Sequence, residues 1–152
     1  MGALASGGVE VLDRDLVRRL RIPPRDVEAV IARERAELER RARAFRGDRP
    51  PTPVAGRTVV LVDDGLATGA TMRAAVEAIR ALGPRAIVVA VPIASADTCR
   101  ELAPLVDRTV CLERPEPFRA VGLWYRDFGD TPDEEVVALL GRAAARPLIP
   151  GP

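Results

Sequence analysis

The chain has no histidine, and lysine, asparagine and glutamine are also missing, so all 23 basic residues are arginine. A strongly GC-biased coding sequence accounts for this most simply; scarce heat-labile amides also fit a thermophile, as the weaker inference. Cysteine is limited to Cys99 and Cys111. With no CxxC pair and no histidine partner they carry no metal or redox signal, and reduced, structural thiols are expected. No run reaches the roughly 18 apolar residues of a spanning helix, and MGALASGGVEVLDRD has neither the basic segment nor the apolar core of a signal peptide. A cytoplasmic protein without a membrane partner is expected. The 23 basic and 22 acidic residues leave a net charge of +1. That supplies no overall field for nucleic acid, which is not expected as a partner.

What is present fits a folded domain. At 152 residues, 47% hydrophobic and 30% charged, the chain can bury a core and reads as one domain over residues 1–146, with 147–152 a frayed tail. Ala3 to Ala5 and Val9 to Leu12 flank Ser6, Gly7 and Gly8 and predict a β-hairpin. Val27, Ile31, Leu38, Ala42 and Phe45 recur at helical spacing and predict a long amphipathic helix from Asp26 to Phe45. Its arginines, among them Arg33, Arg35, Arg40, Arg41, Arg43 and Arg46, read as a solvated face paired with Glu28, Glu34, Glu37 and Glu39. The Pro- and Gly-rich stretch GDRPPTPVAG predicts a loop.

Beyond it the pattern becomes strand, helix, strand, helix, strand: Thr58 to Val62, Ala70 to Leu82, Ala86 to Pro92, Ala96 to Leu105 and Thr109 to Leu112. Continuous aliphatic strands separated by helices predict an α/β fold, a parallel sheet covered on both faces. Four of the five aromatic residues, Phe118, Trp124, Tyr125 and Phe128, then fall within eleven positions. Asp130 to Ala145 predicts a C-terminal helix capped by Asp130 or Thr131, with acidic residues in its first turn.

The chemistry concentrates in VVLVDDGLATGATM, Val59 to Met72. Ligands of open parallel sheets bind beyond the carboxyl ends of the strands, where Asp63 and Asp64 fall. Gly65 and Gly69 allow a tight turn that presents backbone N–H groups, the following helix offers the positive end of its dipole, and Thr68 and Thr71 add hydroxyls. This suits a phosphate monoester. Two carboxylates beside it would repel a bare anion, so a phosphate carrying neighbouring hydroxyls, as in a ribose 5-phosphate, fits better. A Walker P-loop is excluded by the missing lysine and the spacing.

Four aliphatic residues, two acids, a short loop and T-G-x-T resemble the phosphoribosyl pyrophosphate motif of type I phosphoribosyltransferases, strongly over residues 58–72 and in element order to about 112. The resemblance implies a phosphoribosyltransferase-like, Rossmann-type sheet over 58–112, with 1–57 as hood and flexible-loop region and 113–146 as aromatic segment and C-terminal helix. It implies transfer of a phosphoribosyl group from the pyrophosphate to a nitrogenous base, or, as the alternative, a non-catalytic phosphoribosyl sensor or partner subunit. Asp63 and Asp64 would hold the ribose hydroxyls, and Gly65, Leu66, Ala67, Thr68, Gly69, Ala70 and Thr71 the 5-phosphate. Phe118, Trp124, Tyr125 and Phe128 would offer a stacking surface for the base, or else seat the C-terminal helix. Mg²⁺ would ride on substrate oxygens, with no direct side-chain ligand. Ala67 stands where some purine-specific members carry an acid, which favours other bases. Family members also have an upstream strand and pyrophosphate loop for which residues 1–57 leave no room; an open sheet edge is therefore expected, with homodimerisation as one remedy.

Overall fold

The computed structural model describes residues 2–5, 9–47 and 49–144. The hairpin forms as expected: strands β1 (Gly2–Ala5) and β2 (Val9–Leu12) pair antiparallel, while the turn at residues 6–8 and the tail from 145 lie outside the described residues. A six-residue helix that hydrophobic spacing did not reveal follows, α1 (Arg14–Arg19). It is set by its cap: the Asp13 carboxylate accepts the Leu16 N–H at 2.8 Å. Helix α2 (Pro24–Arg46) starts two residues before the position expected from sequence, because proline in the first turn gives up only an N–H that has no helical partner anyway. Gly47 ends it with φ of +57°, its N–H bonded to the Arg43 carbonyl. Val27, Ile31, Leu38, Ala42 and Phe45 are half-buried, so the stripe read from spacing is the packed one.

The sheet consists of β3 (Thr58–Val62), β4 (Ala86–Ile93) and β5 (Arg108–Glu113), parallel and in that spatial order. Helix α3 (Ala70–Arg80) joins the first pair and α4 (Ala96–Leu102) the second. The second helix gives way to a 3₁₀ turn at Ala103–Leu105 because Pro104 has no N–H for a continuing α-helix. Helix α5 (Asp133–Ala144) begins three residues later than expected. Proline at 132 drives Thr131 out of the helical region, and the Pro132 carbonyl instead accepts the N–H groups of Glu135 and Val136.

The sheet is flanked by helices, but among the described residues they cover one face and not both. Strands laid down in one direction with right-handed crossovers place both crossover helices on the same side. Leu66, Met72, Val76, Ile87, Val89, Val91, Ala94, Cys99 and Leu102 make a single buried cluster there. On the other side Val60, Val62 and Leu112 are 55%, 73% and 72% exposed. The hairpin packs on the outer surface of α3, and α2 bridges from the hairpin to α5.

The cysteines also depart from expectation. Cys99 on α4 and Cys111 on β5 are bonded to each other and not free thiols. Packing of α4 over β5 brings them together, a contact that no spacing rule for cysteines anticipates.

Candidate functional site

The motif begins where β3 ends and lies at the carboxyl edge of the sheet. Leu66 restores the pairing one step beyond the strand. Its N–H donates to the Ile93 carbonyl at 3.0 Å, its carbonyl accepts from Ser95 N–H at 3.2 Å, and its side chain is 2% exposed. Leu66 is thus an anchor, with its amide and side chain both committed to the fold. Asp64, Ala67, Thr68 and Thr71 are exposed around it, while Asp63 is half-buried.

Gly69 is the N-cap of α3, at φ of +70°, and that helix has no side-chain cap hydrogen bond. Thr68 Oγ1 offers its first amide, that of Ala70, only a long contact of 3.5 Å. Open first-turn amides at the end of an eleven-residue helix are what an anion takes up. Glycine is required twice over at 69, since a Cβ there would be strained and would sit 2.7 Å from Thr98 Cγ2.

Two side chains from elsewhere hold the loop. Thr98, on α4 and 5% exposed, donates its hydroxyl to the Ala67 carbonyl at 2.6 Å and receives the Ser95 hydroxyl at 2.8 Å. Ser95 Oγ in turn accepts the Thr98 N–H at 3.1 Å, closing the α4 cap and completing the network. At the other end the Tyr125 hydroxyl donates to the Asp64 carbonyl at 2.6 Å. Neither Ser95 nor Thr98 stands out in the sequence; the S-x-x-T spacing across the start of α4 is the only local signal.

Burial raises the Asp63 carboxyl above the ordinary carboxylate range, the Asp64 charge adds to this, and the Asp64 N–H at 3.0 Å from Asp63 Oδ1 opposes both. An acid so placed gains from any ligand that donates hydroxyls to it. Among the described residues no group of three or more acidic, cysteine or histidine side chains forms a metal cluster.

The four aromatics divide. Tyr125 and Phe128 pack on one another with ring centroids 5.3 Å apart. Gly122, in the 3₁₀ turn Val121–Trp124, lies under the Phe128 ring. Trp124 is 51% exposed beside them. Phe118 stands apart, lining a hollow of about 550 Å³ with Ser95, Asp97, Glu116 and Pro117. The α2 arginines behave as a solvated face: Arg40 and Arg41 both grip Glu37 at 2.8 Å, and Arg40 reaches Asp133 on α5 at 2.7 Å. Hydrogen bonding from Arg40, then Arg41, holds the Glu37 carboxyl down at about 2.

Comparison with known proteins points the same way. The sequence model of the phosphoribosyl transferase domain matches residues 3–123. A Mycobacterium tuberculosis protein, provisionally named a phosphoribosyl transferase, is 46% identical over 142 residues, 93% of this chain and 32% of the relative. The Bifunctional protein PyrR of Chloroflexus aurantiacus is 43% identical over 74 residues, 48% of this chain and 41% of that protein. The crystal structure of TT1426 from Thermus thermophilus matches with a TM-score of 0.71 and 42% identity, covering 91% of this chain and 65% of that one. The chain therefore spans about a third of the length of the M. tuberculosis relative. No helix among the described residues is long and apolar enough to cross a membrane. By the extent of the sequence match and the shared fold, this chain belongs to the phosphoribosyl transferase domain family.

Proposed function

We propose that the loop from Asp63 to Thr71 binds the ribose 5-phosphate portion of phosphoribosyl pyrophosphate, and that the protein transfers this group to a nitrogenous base with release of pyrophosphate. The observation that carries the reading is one short loop with a partly desolvated acid at its start and uncapped helix amides at its end. Asp63 and Asp64 accept the ribose 2- and 3-hydroxyls. The amides and hydroxyls from Ala67 to Thr71 take the 5-phosphate, with Gly65 and Leu66 shaping the approach. Positive charge developing at the anomeric carbon is favoured beside two carboxylates, so the residues act chiefly by positioning and electrostatics.

A Mg²⁺ ion would be held mainly by substrate oxygens, with the Asp63 and Asp64 carboxylates beside it. Bound there, the ion would neutralise the departing pyrophosphate. The aromatic segment, chiefly Phe118 and Trp124 with Tyr125 and Phe128 behind, supplies the surface for the base, and residues 1–57 form the hood. A second copy of the chain, in the cytoplasm, covers the exposed Val60, Val62 and Leu112 side chains.

A second reading, a phosphoribosyl sensor or partner subunit without turnover, is favoured by one observation. Strand β3 has no partner on its outer edge among the described residues, an edge onto which a partner chain can add a strand. Titration calorimetry with phosphoribosyl pyrophosphate and Mg²⁺, followed by a pyrophosphate-release screen across bases, separates the two. Binding with sustained release means an enzyme; binding without release means a sensor. Asp63→Ala/Asp64→Ala is expected to abolish binding while leaving the fold intact. No heat with the unaltered protein, and a double variant altered only in stability, would defeat both readings.

A further inference from the structure

We infer that Tyr125 is a positioning residue for the acidic half of the phosphoribosyl site, acting through the Asp64 backbone and not by stacking on a base. The inference rests on the ligand assignment proposed above and adds a division of labour within it.

The geometry sets Tyr125 apart from the other aromatics. Its hydroxyl is committed to the Asp64 carbonyl at 2.6 Å, and its ring is packed on Phe128. The same short segment makes a second contact with the loop: a Cβ on Gly65 would lie 2.7 Å from Val121 Cγ1 and 2.9 Å from Ile93 Cγ2. Val121 therefore closes over Gly65 while Tyr125 holds the peptide just before it. Together they bracket the Asp64–Gly65 peptide, the point where the chain leaves the two acids. Asp64 is otherwise exposed, and its amide donates to Asp63 Oδ1 at 3.0 Å.

The phosphate end is held by different means. Thr98 fixes the Ala67 carbonyl, and its methyl lies against Gly69. The two halves of the loop are thus anchored from different elements, the acids by the segment after β5 and the phosphate turn by α4. Loss of the Tyr125 hydroxyl frees the first half and leaves the second in place.

Tyr125→Phe keeps the ring and its packing on Phe128 and removes only the donor. Ribose 5-phosphate, which engages both halves, and inorganic phosphate, which engages only the turn, are titrated into both proteins by calorimetry. The expected result is ribose 5-phosphate affinity lowered about fivefold, the effect of one neutral hydrogen bond, with phosphate affinity and melting temperature unchanged. Equal weakening of both ligands would mean general loosening of the loop and would overturn the inference, as would unchanged affinity for both. If the unaltered protein binds neither probe, the ligand assignment itself falls and this inference with it. If it binds ribose 5-phosphate and Tyr125→Phe matches it, only the positioning role is lost.

Discussion

The two faces of the three-stranded sheet are built from the same kind of side chain and have opposite fates. Val89 is fully buried beneath α3 and α4, while Val62 on the neighbouring strand, on the other face, is 73% exposed. Aliphatic composition does not separate them. Register does, because successive strand residues point to opposite sides and both crossover helices lie on one. The candidate loop is held from the covered side: its own Leu66 and the neighbouring Ala94, Thr98 and Leu102 are all at most 5% exposed. The open side, with Val60, Val62 and Leu112 exposed, contributes little to the loop's geometry.

This contrast can be broken by substitution, and the largest effect is expected at Leu102. Leu102→Ala removes a side chain with no solvent exposure from the cluster under the loop and should cost about 2–5 kcal/mol in denaturant unfolding. Thr98→Val keeps the volume but leaves the Ala67 carbonyl without its partner. A loss of about 1–3 kcal/mol is expected, together with weaker phosphate binding, because the turn itself is released.

Asp63→Asn should act in the opposite direction. An acid whose native pKa lies above its unfolded value binds its proton more firmly in the folded state, so native stability falls as pH rises from the ordinary aspartate value of 3.8 upward. The asparagine variant should therefore melt higher than the unaltered protein at pH 7 and alike at pH 3, where both carry no charge at this position. A lower melting temperature at pH 7 would mean that ionised Asp63 is stabilised by more than the Asp64 amide. The smallest effect is expected on the open face, where Val62→Thr should shift monomer stability by no more than about 0.5 kcal/mol. If a second copy covers that face, the same variant should weaken the dimer in sedimentation at low concentration; a large loss of monomer stability would show that the face is not open.

How much of this was legible in sequence follows from the range of the interactions. Strand Thr58–Val62 is legible to the residue, because a run of β-branched and aliphatic residues ends abruptly at two acids. Helix α2 was read to within two residues at its start from its apolar spacing and prolines. Helix α1 escaped because six residues carry too little periodicity, and the start of α5 was misplaced because the constraint of Pro132 on Thr131 outweighed two good capping side chains. The candidate loop was visible as a motif, yet nothing local marked Leu66 as an anchor, Thr98 as its neighbour or Cys99 as the partner of Cys111. Tyr125 was found for its ring, while its hydroxyl made the contact.

The sequence by itself determined the order of the strands and the longer helices, the glycines at 65 and 69, and the succession of acids, turn and hydroxyls between Asp63 and Thr71. These rest on backbone sterics and on hydrogen-bonding groups a few residues apart, which neighbours in the chain suffice to express. Tertiary structure alone decided which sheet face is covered and which residues hold the loop at its two ends. Those outcomes depend on crossover handedness and on contacts such as Tyr125 with Asp64, where side chains far apart in the chain meet only after the sheet has formed.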